Sequence, residues 1–291
     1  MNKQRVALLT DSCADIPAAL RKKYPIYVVP LKLRFHDGEF LDGVTIQPGE
    51  VYRRQKTEMP QTSLPDGALV EETLRRIREA GYEKVLAVHL SAGLSGTCNM
   101  VRVLGRDFVG LEVVTFDSVS GSLGTGMTVL QLARFLEEGR SWTELLRAAK
   151  RLIANTKVFF CVNTLEYLQK GGRIGKITAV AGTLLQIKPI LSFAADGELV
   201  NVAKVRGRKL ALSRMVQMAA DYYPGGGRYN IAVAHGDSPE ELKQIRAAMQ
   251  AALPHYESCF EGEIDCTLAS YVGPQLLGAG IQLLPENLFD A

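Results

Sequence analysis

The sequence predicts an α/β protein in two parts: a first part built on a mostly parallel sheet, and a second with a mixed sheet. Three observations carry this. The runs Arg5-Val6-Ala7-Leu8-Leu9-Thr10, Lys84 to Leu90 and Glu112 to Phe116 are near-continuously apolar, as strands covered on both faces are. Helix-like segments separate them, which gives a βα alternation. After residue 157 the pattern changes to hairpins mixed with helices, Asp196-Gly197 being the clearest hairpin turn. The division falls between residues 1–156 and 157–291.

In order, the first strand exits through Asp11-Ser12 into an amphipathic helix from Pro17 to Lys23. Ile26 to Phe35 is β-rich, and Pro30 inside it predicts an edge or a bulge. His36 to Glu39 forms a turn, and a helix starts at Pro48 and runs to Glu58. Met59 to Pro65 reads as a loop stiffened by its two prolines. Helices follow over Asp66–Gly81, Thr97–Arg106, Gly121–Glu138 and Ser141–Asn155, the last opened by a Ser141/Glu144 capping box. The second part holds a strand over Lys157–Val162, a short helix over Thr164–Lys170 stopped by Gly171-Gly172, and a small-residue helix to about Leu185. Strands then cover 187–193 and 198–205, a helix Gly207–Tyr222, a strand Tyr229–His235 and a helix Pro239–Leu253. Three further strands are expected at Tyr256–Glu261, Thr267–Val272 and Gly280–Leu284.

Composition narrows the function. Of 291 residues, 47% are hydrophobic and 22% charged, so a packed core is expected. A net charge of +3 is too small to imply a nucleic-acid groove. No apolar run approaches the length of a membrane span, and the opening residues show no signal-peptide core. Five cysteines without a Cys-x-x-Cys pair suggest neither a disulfide framework nor a zinc site, so a cytoplasmic protein is expected.

Chemistry concentrates where strands end. Thr10-Asp11-Ser12, Ser91 to Thr97, and Asp117-Ser118 repeat one polar exit, and ligands of open parallel sheets sit beyond such ends. Ser95, Thr97 and Thr62 are the candidates to hold a carboxylate, because hydroxyls beside a helix start attract anions. Their bland alternatives are a helix cap and a turn. Gly171 to Lys176 misses the phosphate-loop spacing by one residue, and Ile177 stands where a hydroxyl should bind magnesium. The enzymatic alternative is a serine-dependent hydrolase or other small-carboxylate enzyme, with His89, His235 and Asp237 as partners of Ser95. Its surroundings, however, do not match Gly-x-Ser-x-Gly. Two basic spots remain, Lys204 to Lys209 and Arg173. They suit an anionic ligand or a protein partner better than DNA.

Taken together, Thr10-Asp11-Ser12, Gln61-Thr62-Ser63-Leu64-Pro65, Leu94-Ser95-Gly96-Thr97, Asp117-Ser118, Leu165 to Ile174, Ile187-Lys188-Pro189-Ile190-Leu191 with Asp196-Gly197, and Lys204-Val205-Arg206 resemble the DegV family over almost the whole chain. The resemblance implies an N-terminal three-layer α/β/α domain and a C-terminal α+β domain. It implies a bacterial protein that binds a long-chain fatty acid and needs no other cofactor. The acyl chain would lie in an apolar tunnel in the first domain, with the carboxylate between domains. It further implies a non-catalytic role, in which the chain presents the lipid to a separate fatty acid kinase catalytic subunit for phospholipid synthesis. By motif match the ligand contacts are Thr62 and Ser95, with Ser63, Gly96 and Thr97 beside them. Arg206 falls near the head group and the partner surface, and Arg173 on the partner-docking side. The chain departs from the pattern at Tyr271-Val272-Gly273-Pro274-Gln275, where many relatives carry His-x-Gly-Pro-Gly. Tyr271 can still donate to a carboxylate, but without a charge near neutral pH.

Overall fold

A parallel sheet with both faces covered forms because its strands are apolar on alternate residues in both directions. The computed structural model describes residues 2–177 and 187–290, so the small-residue helix expected to about Leu185 lies outside the described residues. In chain order the first half contains β1 (Val6–Asp11), a 3-10 turn (Ser12–Ala14), α1 (Ala18–Lys23), β2 (Ile26–Val29), β3 (Lys32–Phe35), β4 (Gly38–Leu41), α2 (Pro48–Arg54), β5 (Gln61–Ser63), α3 (Gly67–Glu79), β6 (Lys84–His89), α4 (Thr97–Arg106), β7 (Glu112–Asp117), α5 (Leu123–Glu137) and α6 (Trp142–Ala154). The second contains β8 (Thr156–Cys161), α7 (Glu166–Lys170), β9 (Ile187–Phe193), β10 (Leu199–Arg206), α8 (Arg208–Asp221), β11 (Arg228–Gly236), α9 (Pro239–Ala252), β12 (Ser258–Glu263), α10 (Cys266–Val272) and β13 (Leu276–Leu284).

The strands β2-β1-β6-β7 form a parallel sheet in that order. Ala7 and Leu9 of β1 pack on α3 and α4, whereas Val6 and Leu8 join the cluster around α5. The second sheet runs β10-β9-β8-β13-β11-β12, antiparallel except for the last pair. Ala232 and Ala234 of β11 face α5, and Ile231 and Val233 face α8 and α9. Helix α5 is thus buried almost all round, because it fills the layer between the two sheets. Among the described residues no helix is long and apolar enough to cross a membrane.

The structure alters three sequence expectations near the site. The run Ile26–Phe35 is divided at Pro30, which lacks a ladder donor. β2 stays in the parallel sheet, and β3 joins a small antiparallel sheet of order β4-β3-β5. Gln61–Ser63, expected as loop, is the edge strand of that sheet, with Thr62 opposite Leu33. Thr267–Val272, expected as a strand, is helix α10. Asp265 caps it by accepting the Leu268 amide at 2.9 Å, and Gly273 ends it at φ +68°. A short apolar run cannot by itself separate a strand from a buried helix, and here the flanking caps decide. Helix α10 packs on α2 and the small sheet through Ala269 and Cys266, so the second half reaches across the first.

Candidate functional site

A pocket of about 490 Å³ opens where β5, the β6–α4 loop, α10 and the segment after α7 converge. Thr62, Ser63, Ser95 and Gly96 line it, and so does Tyr271. The Ser95 hydroxyl lies 2.9 Å from that of Thr97 and accepts the Thr97 amide at 3.3 Å. Ser95 thus braces the start of α4 and also lines the pocket. Thr97 is fully buried behind it and lies outside the wall. Across the pocket the Thr62 and Tyr271 hydroxyls are hydrogen-bonded. The N-terminal end of α4 adds positive potential there.

Arg173 is the one charged side chain in this wall among the described residues. Its guanidinium lies 5.2 Å from the centre of the Tyr271 ring and donates to the Leu94 and Gly171 carbonyls at 3.4 and 3.1 Å. The motif match placed Arg173 on the docking side, and the structure brings it into the pocket. Arg206 stands apart, exposed at the end of β10 and outside the pocket wall. Sequence reasoning missed the lining by Leu31, Leu168, Leu199 and Thr267. Thr267 was hidden by the strand reading. Asp265, three residues before Leu268, is the capping signal that could have exposed it.

Against this pocket lies an apolar cavity of about 70 Å³. Its walls are the start of α5, the inner face of the second sheet, and α10, with Phe160, Phe193, Leu268 and Gly278 prominent. The resemblance implied a tunnel inside the first half. This cavity instead lies between the halves, chiefly against the second sheet. The two voids are distinct. A side chain at Gly121 would meet Leu90 of the polar pocket at 3.0 Å, and Phe193 and Leu268 of the cavity at 3.4 and 3.8 Å. Leu90, Leu94 and Leu268 belong to one small apolar cluster with Cys13 and Leu31.

The other strand-end acids serve the backbone. Asp11 accepts the Cys13 and Leu90 amides and lies 2.9 Å from His89 Nδ1, fully buried. Asp117 accepts the amides of Ala92 and Val119. His235 Nδ1 accepts the Ser238 amide. Among the described residues no histidine hydrogen-bonds to Ser95, so the triad imagined from sequence is not assembled. Cys13, Asp42 and Asp265 offer ligand atoms within 4.8 Å of one another. Asp42, however, already accepts from Ser12, the Cys266 and Thr267 amides and the Thr267 hydroxyl, which makes it an anchor for α10. Asp15 accepts the Asp265 amide at 2.8 Å. Burial pushes the Asp15 carboxyl up to about 7, and it raises that of Asp265 strongly, with Asp42 and Asp15 adding repulsion.

The fold and this site define an α/β protein, built on a parallel and a mixed sheet with a small third sheet beside them, that sets a hydroxyl-lined pocket against an apolar cavity. The DegV family, described as uncharacterised proteins, matches residues 5–283, and the chain belongs to that family. A DegV domain-containing protein of Clostridium acetobutylicum is 32% identical over 278 residues, covering 96% of this chain and 99% of that one. A solved DegV family protein from Thermus thermophilus, described by its fatty acid binding, superimposes with a TM-score of 0.90 at 30% identity, covering 98% of this chain and all of that one. DegV of Bacillus subtilis, described as a fatty acid binding protein, gives 0.86 at 28% identity, with the same coverage of both chains.

Proposed function

We propose that this chain binds a long-chain fatty acid between residues 1–156 and 157–291, taken as two domains. The carboxylate is held by Thr62 and Ser95, with Tyr271 and Arg173 beside them. The acyl chain passes the leucines at Gly121 into the apolar cavity. The observation that carries this reading is the contact of a hydroxyl-lined pocket with an apolar void across Leu90 and Leu268. The fatty-acid-binding descriptions of the Thermus and Bacillus proteins support it.

Energetics divide the labour. A buried methylene contributes about 0.8 kcal/mol, so roughly fifteen give about 12 kcal/mol before the costs of association. The hydroxyls mainly offset the several kcal/mol that a carboxylate loses on leaving water. A cavity of about 70 Å³ is smaller than the roughly 150 Å³ apolar cavity that takes up a single benzene. Entry of a long chain therefore requires Leu90, Leu268 and the Phe160–Phe193 pair to change rotamer. In this reading the chain does no covalent chemistry. It presents the acid in the cytoplasm to a separate ATP-using kinase subunit, with exposed Arg206 on the docking side.

Native mass spectrometry of the purified protein, followed by solvent extraction, is expected to release a long-chain fatty acid. Thr62→Ala and Ser95→Ala are each expected to weaken its binding about tenfold, as the loss of a hydrogen bond to a charged group does. Unchanged affinity in both variants would remove the head-group assignment.

A further inference from the structure

The loop that carries Ser95 is not held by its own half alone. Ser91, at its root, is fully buried and lies outside the pocket wall. Its hydroxyl donates to the Gly197 carbonyl at 2.8 Å and accepts the Gly93 amide at 3.2 Å. Its backbone carbonyl accepts the amides of Leu94 and Ser95 at 3.0 and 3.1 Å. One residue thus orders the whole turn and ties it to the β9–β10 hairpin of the second half.

The facing surface is shaped for this contact. Gly197 has φ +80°, and a side chain there would overlap the Ser91 hydroxyl. A side chain at Gly93 would come 2.5 Å from the Gly197 carbonyl carbon. Two backbones therefore meet where a methyl group on either would force them apart. The hairpin is braced in turn: Lys176 pairs with Asp196, the Lys176 amide donates to Leu199, and Asp196 accepts the Glu198 amide.

We propose that Ser91 and Gly197 form a clasp by which the second half sets the position of Ser95 for the carboxylate, an inference that rests on the fatty-acid reading above. Neither residue touches the ligand; both are positioning residues. A hydrogen bond weakens steeply with small errors of distance and angle. Releasing the clasp therefore harms recognition of the head and leaves the apolar cavity, beyond Leu90, as it was.

The test uses the full chain, with hexadecanoic acid and 1-hexadecanol as probes of equal tail and different head. In the wild type the acid is expected to bind more tightly than the alcohol. In Ser91→Ala the acid is expected to lose about tenfold in affinity, the cost of one buried hydrogen-bond network member, and the alcohol less than about twofold. Gly197→Ala is expected to lose more. Adding Ser91→Ala to it is expected to recover part of the loss, because the overlapping hydroxyl is gone. Thermal melting reports folding separately. An acid preference unchanged in Ser91→Ala and Gly197→Ala, or equal losses for both probes, overturns the clasp. A wild type that binds neither probe overturns the fatty-acid reading instead.

Discussion

The polar pocket and the apolar cavity share a wall and are built by different means. The pocket presents polar side chains: Thr62 from an edge strand, Ser95 from a helix-start loop, Tyr271 from α10 and Arg173 from the segment after α7. The cavity is walled by large apolar side chains such as Phe160, Phe193 and Leu268, and the small residues Gly278, Ala232 and Ala234 leave room between α5 and the second sheet. The difference teaches where each property resides. In the proposed reading, geometry and discrimination belong to the pocket, where a few hydrogen bonds must align. In the same reading, affinity belongs to the cavity, where the free energy grows with apolar area whatever the exact fit.

The most forceful way to break the comparison is to fill the cavity and leave the pocket intact. Gly278 pairs with Ala234 and Phe160 in the sheet. A side chain there starts in ordinary contact, no closer than 3.7 Å to its neighbours. Gly278→Leu is therefore expected to fold and to displace about three methylenes of a bound chain. At roughly 0.8 kcal/mol each this lowers affinity about fiftyfold for hexadecanoic acid. A short acid, measured by competition, is expected to bind as it does to the wild type. Equal loss for short and long acids would show that the tail does not use this cavity.

The same contrast explains what the sequence could disclose. That Thr62 and Ser95 line one pocket had a trace in the sequence: Ser95 stands at a hydroxyl-rich strand exit before a helix start, and Thr62 in a stretch bracketed by two prolines. Asp11 and Asp117 carried the same signal, yet they face backbone amides rather than the pocket, a distinction made by direction and not by residue type. The cavity was illegible. Glycine and alanine in β11 and β13 look like ordinary strand residues until the opposing layer is known. Tyr271 and Thr267 were visible as residues but sat on a segment read with the wrong period, because Cys266–Val272 is too short for periodicity to decide. The edge strand at Thr62 depends on pairing with Leu33, a contact distant in sequence.

Helix α10 belongs to both voids, and its anchor tests whether they can be loosened together. Asp15 holds the Asp265 amide, and burial pushes its carboxyl from the ordinary 3.8 up to about 7. The folded state thus keeps a proton that the unfolded chain releases. This contribution to stability is full below about pH 4 and is lost as pH rises through about 7. Asp265 adds in the same direction, and Asp42 faces both, with no cation among their hydrogen-bond partners within the described residues. Asp15→Asn keeps an acceptor for the Asp265 amide and removes the charge. In urea unfolding the variant is expected to gain on the wild type between pH 5 and pH 8. A wild-type-minus-variant difference that does not change with pH would exclude a titrating Asp15.

The smallest expected effect lies just beyond α10, where Gln275 replaces the glycine of the resembled pattern. It sits at φ +65° with its backbone held from both sides: its amide donates to Gly236 at 2.7 Å, and its carbonyl accepts from Arg208 at 2.9 Å. The side chain is exposed, so little packing offsets the conformation. A left-handed L-residue costs roughly 1–2 kcal/mol, and a glycine costs about 0.5–1 kcal/mol in unfolded-state entropy. Gln275→Gly is therefore expected to stabilise by up to about 1 kcal/mol, read from the urea midpoint at constant m-value. Binding of both hexadecanoic acid and 1-hexadecanol is expected to stay as in the wild type, because neither void is lined by this residue. A destabilised variant would mean that the Gln275 side chain makes a contribution larger than its strain, and a change confined to the acid would place this turn within reach of the head group.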